Sequence, residues 1–184
     1  MKLYIKMAIV LTSISLLSAF ALSQVFLWAA PKIEANKELE IKNSVFEVVE
    51  GAKNFDKLED KDFRYFKVYS EDKSLIGYAF IITGNGFQGK ITVIAGVSPD
   101  FSKMKAIKVI DHSETPGLGD IITKDWYSSQ FKDLKLNPNI GWVKEGFAKK
   151  DNEIYAKTGA TISSKSVVAI LNDGLDKLKA NLGK

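Results

Sequence analysis

Hydrophobic and polar positions divide the chain sharply in two. From Met7 to Ala30 there are 24 consecutive residues without Asp, Glu, Lys, Arg, Gly or Pro. As a helix this run covers roughly 36 Å, more than the ~30 Å of a bilayer's hydrocarbon core. It predicts a transmembrane helix over residues 7–30, preceded by residues 1–6. Lys2 and Lys6 stand before it and no acid does, so the positive-inside rule places the N-terminus in the cytoplasm. The remaining 154 residues then lie on the extracytoplasmic side of the cytoplasmic membrane, with Trp28 as an interfacial anchor. A cleaved signal peptide is the alternative. Its apolar core is usually about 7–15 residues, however, and Pro31 spoils Trp28-Ala29-Ala30 as a cleavage site.

After Pro31 the pattern changes to helical spacing. Leu39, Val45, Phe46 and Val49 mark Ile33 to Glu50 as a helical stalk, placed within residues 31–58, with Gly51 as a stop. Residues 59–184 then form the globular domain. Strands are predicted over Phe63–Tyr69, Leu75–Thr83, Lys90–Val97 and Met104–Asp111, with Gly84-Asn85-Gly86 turning the second into the third. Asp125–Leu134 reads as a short helix and Asn137–Gly141 as a loop. Phe147 and Glu153–Lys157 read as short late strands. The C-terminus is the clearest helix, since Val168, Leu171, Leu175, Leu178 and Leu182 recur at spacings of three and four. Strands followed by helices give an α+β domain with a mainly antiparallel sheet and a C-terminal helix.

Composition narrows the chemistry. The chain has 184 residues, 46% of them hydrophobic and 11% aromatic, enough for a packed core. It has no cysteine and one histidine. Disulfides, thiol nucleophiles, iron–sulfur clusters, multi-histidine metal sites and lipoprotein acylation are thereby excluded. Beyond the anchor, 24 basic against 22 acidic residues leave +2. With no basic run interleaved with aromatics, this gives no support to nucleic-acid binding.

Three segments carry candidate chemistry. Thr158-Gly159-Ala160-Thr161-Ile162-Ser163-Ser164 opens the last helix. Small residues, hydroxyls and the free N–H groups of a first helical turn make an anion site suited to phosphate. Ordinary N-capping by Thr161 or Ser163 is the competing reading. His112-Ser113-Glu114-Thr115-Pro116-Gly117-Leu118-Gly119-Asp120 follows the fourth strand. It reads as a stiffened loop able to hold a flat ring, as an acid/base pair of His112 and Glu114, or as a plain Pro-Gly turn. Thr83-Gly84-Asn85-Gly86-Phe87-Gln88-Gly89-Lys90 contains Gly-x-Gly-x-x-Gly, but between two strands, so a hairpin turn is favoured over a dinucleotide site.

In this order, over residues 1 to 182, the three segments resemble the FMN-binding G-subunit of the Rnf ion-translocating electron-transport complex. They are similar also to the C-subunit of the Na⁺-translocating NADH:quinone reductase. The resemblance implies covalent FMN, joined by a phosphodiester to Thr161, the last threonine of Thr-Gly-Ala-Thr. It implies a cofactor site of Thr158, Gly159, Ala160, Thr161, Ser163 and Ser164, with Glu114, Thr115, Leu118 and Gly119 against the flavin. It further implies a flavin transferase for maturation, and membrane and iron–sulfur subunits as redox partners alongside membrane lipid. Tyr155 departs from the family pattern, which has an acidic residue there. If that acid serves the transferase, attachment is slower, and Glu153 is the nearby substitute. The expected function is a membrane-anchored flavoprotein subunit passing electrons within an ion-translocating ferredoxin:NAD oxidoreductase. The alternatives are a stand-alone membrane-tethered FMN carrier or sensor, and a surface scaffold without flavin. A hydrolase built on His112 and Glu114 lacks an accompanying nucleophile motif.

Overall fold

The computed structural model describes residues 2–60 and 63–183. Two compact units divide it, Met1–Glu40 and Ile41–Lys184. The first unit is helical throughout its described residues. It belongs to helix α1, Lys2–Val48, which runs through Pro31 without a break in assignment. One window of α1 has a mean hydropathy of 2.0 and no buried residue, so the helix is long and apolar enough to cross a membrane. Lys32 Nζ lies 3.7 Å from the centroid of the Trp28 ring, joining a cation to the aromatic at the end of the apolar run.

The second unit begins at Ile41, inside the segment expected to be stalk. The last turns of α1 contribute Ser44, Val45 and Val48 to its interior. The expected helical stalk also ends earlier, because Asn54–Asp60 is a strand, β1. This strand is hard to recognise for a physical reason. It lies at the sheet's edge, and only Phe55 and Leu58 are half-buried, so its sequence looks polar. Strands β2 (Phe63–Tyr69), β3 (Leu75–Asn85), β4 (Lys90–Val97) and β5 (Met104–His112) follow in an antiparallel meander, in the order β1-β2-β3-β4-β5. They match the predicted strands within two residues at each end.

Both faces of this sheet are covered, which is why β3 reads as a continuous apolar run and not as an alternation. One face packs Phe66, Val68, Ala79, Ile81 and Ile94 against Val45, Val48 and Val49. The other packs Phe80, Ile82, Ile91 and Val93 against the C-terminal helix and the segment that precedes it. That segment holds one turn of helix, α2 (Asp125–Ser128), continued as a 3₁₀ turn over Ser129–Phe131, where a longer helix to Leu134 was expected. It also holds two short parallel strands, β6 (Gly141–Lys144) and β7 (Glu153–Ala156). The strand expected at Phe147 is therefore displaced to residues 141–144. Ile140 is buried and Trp142 packs on the core, whereas Phe147 is exposed in the connection. Helix α3 spans Thr161–Asn181 and buries the predicted Val168, Leu171, Leu175 and Leu178.

The meander fixes where the three candidate segments lie. In an antiparallel order β3 and β5 run the same way, so the turn after β3 and the loop after β5 emerge at the same end of the sheet. The Ser113 N–H donates to the Lys90 carbonyl at 3.1 Å and ties the two together. Helix α3 is pressed onto β3 so closely that a Cβ on Gly174 would stand 2.3 Å from Phe80 Cε2. Gly174→Ala should therefore cost about 1–3 kcal/mol through overpacking. Denaturant unfolding of the detergent-extracted full-length protein checks this.

Candidate functional site

The site is organised by one side chain. Glu114 is 4% exposed, yet its carboxylate has no cation beside it and is met entirely by neutral donors. Oε1 accepts the main-chain N–H groups of Phe87, Gln88 and Gly89, at 2.9, 3.0 and 3.5 Å. Oε2 accepts the hydroxyl of Ser163. Thus the turn between β3 and β4, the loop after β5 and the first turn of α3 are fastened at one point. Burial pushes the carboxyl up, but the Ser163 hydroxyl and the amides of Gln88, Gly89 and Phe87 outweigh it and hold Glu114 below the usual carboxylate range. The glycines leave it room: a Cβ on Gly86 would stand 2.3 Å from Oε1, and one on Gly119 would stand 2.7 Å from Oε2. A second bond joins the same pieces, from the Thr115 hydroxyl to Gln88 Oε1.

At the start of α3 neither expected hydroxyl caps the helix. Ala160 is the N-cap, with no side-chain cap bond, and Thr161 is the first helical residue. Its Oγ1 donates to the Lys157 carbonyl at 3.1 Å, while Ser163 is committed to Glu114. The capping reading is therefore set aside. The N–H groups of Thr161, Ile162 and Ser163 project from the helix mouth as donors in the field of the helix dipole. Ser164 is fully buried, with its Oγ 3.4 Å from the Lys157 amide, and its carbonyl accepts the buried Tyr127 hydroxyl at 3.1 Å. Burial drives that phenol well above its ordinary value, so it stays a neutral donor.

A pocket of about 240 Å³ opens at this helix mouth. Glu114, Thr115, Leu118, Gly119, Gly159, Ala160, Thr161 and Ser163 line it, together with Phe87 and Ile162. Eight of the ten residues expected in the site are thus brought together. Thr158 is exposed and does not line the pocket, nor does Ser164. The His112–Glu114 acid/base pair is not formed: His112 Nδ1 accepts the main-chain N–H of Glu114 at 3.2 Å, while the carboxylate turns to the hairpin. Phe87, Leu118 and Ile162 form an apolar rim, each more than half exposed. Sequence reasoning misses Phe87 and Ile162, because no local signal distinguishes them from ordinary core residues. Nearby, Lys157 Nζ bonds Glu145 at 2.9 Å and lies 5.4 Å from the Trp126 ring. Tyr155 exchanges main-chain bonds with the Gln130 side chain, and Glu153 accepts the Lys150 amide. Among the described residues no cluster of metal-ligating side chains occurs.

Sequence comparison agrees with this geometry. The FMN-binding domain family matches residues 86–176, a span from the hairpin turn well into α3. The chain is 34% identical over 157 residues to the G-subunit of the ion-translocating oxidoreductase complex of Methanosarcina acetivorans, covering 85% of this chain and 80% of that protein. It belongs to this G-subunit family. The G-subunit of the proton-translocating ferredoxin:NAD(+) oxidoreductase complex of Clostridium ljungdahlii is 30% identical over 174 residues, covering 94% of this chain and 90% of that one. Among solved structures, the C-subunit of the Na(+)-translocating NADH-quinone reductase from Parabacteroides distasonis shares the fold. Its TM-score is 0.57 at 23% identity, over 67% of this chain and 74% of that one. NqrC of Shewanella oneidensis gives 0.54 at 25% identity, over 71% and 72%.

The pH dependence of stability follows from the latch. A carboxyl held below its ordinary value contributes stability that is present above that value and lost as pH falls through the folded one. Unfolding followed between pH 7 and pH 3 should show this acid loss in wild type and a shallower slope in Glu114→Gln. Glu114→Ala, which strands buried donors, should cost about 3 kcal/mol at pH 7.

Proposed function

We propose that this protein carries FMN on Thr161 through a phosphodiester and passes electrons through it between partner subunits of an Rnf-type ion-translocating oxidoreductase. The observation that carries this reading is the free donor set at the mouth of α3 beside an accessible threonine hydroxyl. The residues fit the group. A phosphate diester is an anion, and the amides of Thr161, Ile162 and Ser163 meet it with the positive end of the helix. The apolar rim of Phe87, Leu118 and Ile162 suits a flat heteroaromatic ring, and Thr115 and Gly119 complete the wall.

The choice among neighbouring hydroxyls also follows. Ser163 is committed to Glu114 and Ser164 is closed off by packing. Thr158 stands exposed and does not line the pocket. Thr161 is half-buried at the pocket wall, and the Lys157 carbonyl orients its hydroxyl hydrogen away, leaving the oxygen lone pairs for bonding to phosphorus. When bound, FMN supplies one-electron chemistry that no side chain here can perform. A covalent tether keeps the cofactor on the protein outside the cell.

Lys2 and Lys6 before the apolar run favour a cytoplasmic N-terminus, so the flavin domain lies on the extracytoplasmic side of the cytoplasmic membrane. Lacking cysteine, the chain cannot ligate an iron–sulfur cluster through thiolates of its own. Donor and acceptor are then iron–sulfur and membrane subunits of the complex, and a separate flavin transferase makes the ester bond. With Tyr155 in place of an acid, that transferase works on a strand whose one carboxylate, Glu153, accepts the Lys150 amide.

Thr161→Ala should abolish covalent flavin while leaving the fold within about 1 kcal/mol of wild type, since the residue caps nothing and fills no core space. In-gel flavin fluorescence and intact mass read the first, and thermal unfolding reads the second. A fluorescent Thr161→Ala band after denaturation refutes the attachment.

A further inference from the structure

Among the described residues Glu114 is the only charged side chain buried in the protein. The elements packed around it offer no counter-charge. The turn Gly86–Gly89 has no ionisable side chain, and neither does Thr115–Gly119 nor the first turn of α3, Thr161–Ser164. His112 is occupied with the main-chain N–H of Glu114, Lys90 lies exposed on β4, and Lys157 is paired with Glu145. The carboxylate is therefore a fixed negative charge, solvated by three amides and one hydroxyl, in the wall of the same small pocket as Thr161.

We propose that Glu114, as a buried negative charge without a cation, lowers the reduction potential of the FMN carried at this site, and that it does so through space and not by contact. This rests on the flavin assignment above. An electron added beside a fixed anion must do Coulombic work against it. In a partly desolvated pocket that work is screened far less than in water. The charge cannot rotate or hydrate away, because four donors from two other chain segments hold it. The protein thereby biases the cofactor toward giving its electron up. By the same linkage, reduction raises the proton affinity of Glu114.

The test is a spectroscopic redox titration of the full-length, detergent-extracted protein with flavin on Thr161, comparing wild type, Glu114→Gln and Ser163→Ala. Glu114→Gln removes the charge while keeping the shape. It should increase the equilibrium constant for one-electron reduction about tenfold, a rise of ~59 mV. Ser163→Ala breaks one latch bond but keeps the charge, and its midpoint at pH 7 should move by less than half the shift of Glu114→Gln. A Glu114→Gln protein that carries flavin and titrates with wild type overturns the inference alone. So does a Ser163→Ala protein that moves as far, because loosening would then explain both. If Glu114→Gln takes up no flavin, the remaining two proteins decide. The midpoint of wild type should bend upward at acid pH as Glu114 protonates, and Ser163→Ala should show the bend at higher pH. Superimposable lines for the two overturn the proposal. Wild type without covalent flavin overturns the assignment and the inference together.

Discussion

A carboxylate taken out of water must find donors or be neutralised, and in this protein the donors come from two stretches of chain distant from the carboxylate and from each other. Glu114 can stay ionised only where the β3–β4 turn offers its amides and α3 offers Ser163. The site therefore assembles as a unit. The hairpin, the loop and the helix mouth are each ordinary, and the pocket exists only where the carboxylate binds all three. Glycine at positions 86 and 119 is the steric condition for that approach.

The sheet serves this arrangement. An antiparallel meander returns every second strand to the same end, so the turn after β3 and the loop after β5 meet without any long connection. Helix α3, pressed onto β3 at Gly174, brings its N-terminus to that end. Tyr127 fixes the height of the helix by its bond to the Ser164 carbonyl. The sheet is packed on both faces, by α3 on one side and by the last turns of α1 on the other.

Strands β2 to β5 and helix α3 are legible in the sequence because their apolar residues are many and their periods clear. Strand β1 is not, since an edge strand with two half-buried residues carries almost no hydrophobic signal and merges with the stalk that precedes it. Strand β6 escapes notice because its order depends on Trp142 and Ile140 meeting a distant core, while the more conspicuous Phe147 lies exposed. At the site, the motifs identify the threonine and the loop. They do not disclose that the Glu114 carboxylate is bonded to the hairpin amides, or that Ser163 is spent on it. Those are contacts between residues 25 to 49 positions apart, and no local spacing encodes them.

The proposed attachment of FMN to a hydroxyl at the start of α3 underlies every functional step of this account. Peptide mass spectrometry of protein from the native cell addresses it most directly, on the Thr158–Lys165 fragment that trypsin releases. The expected result is a flavin mononucleotide adduct whose fragmentation places the phosphorus on Thr161. The same fragment found unmodified, or with the adduct on Thr158 or Ser163, would contradict it.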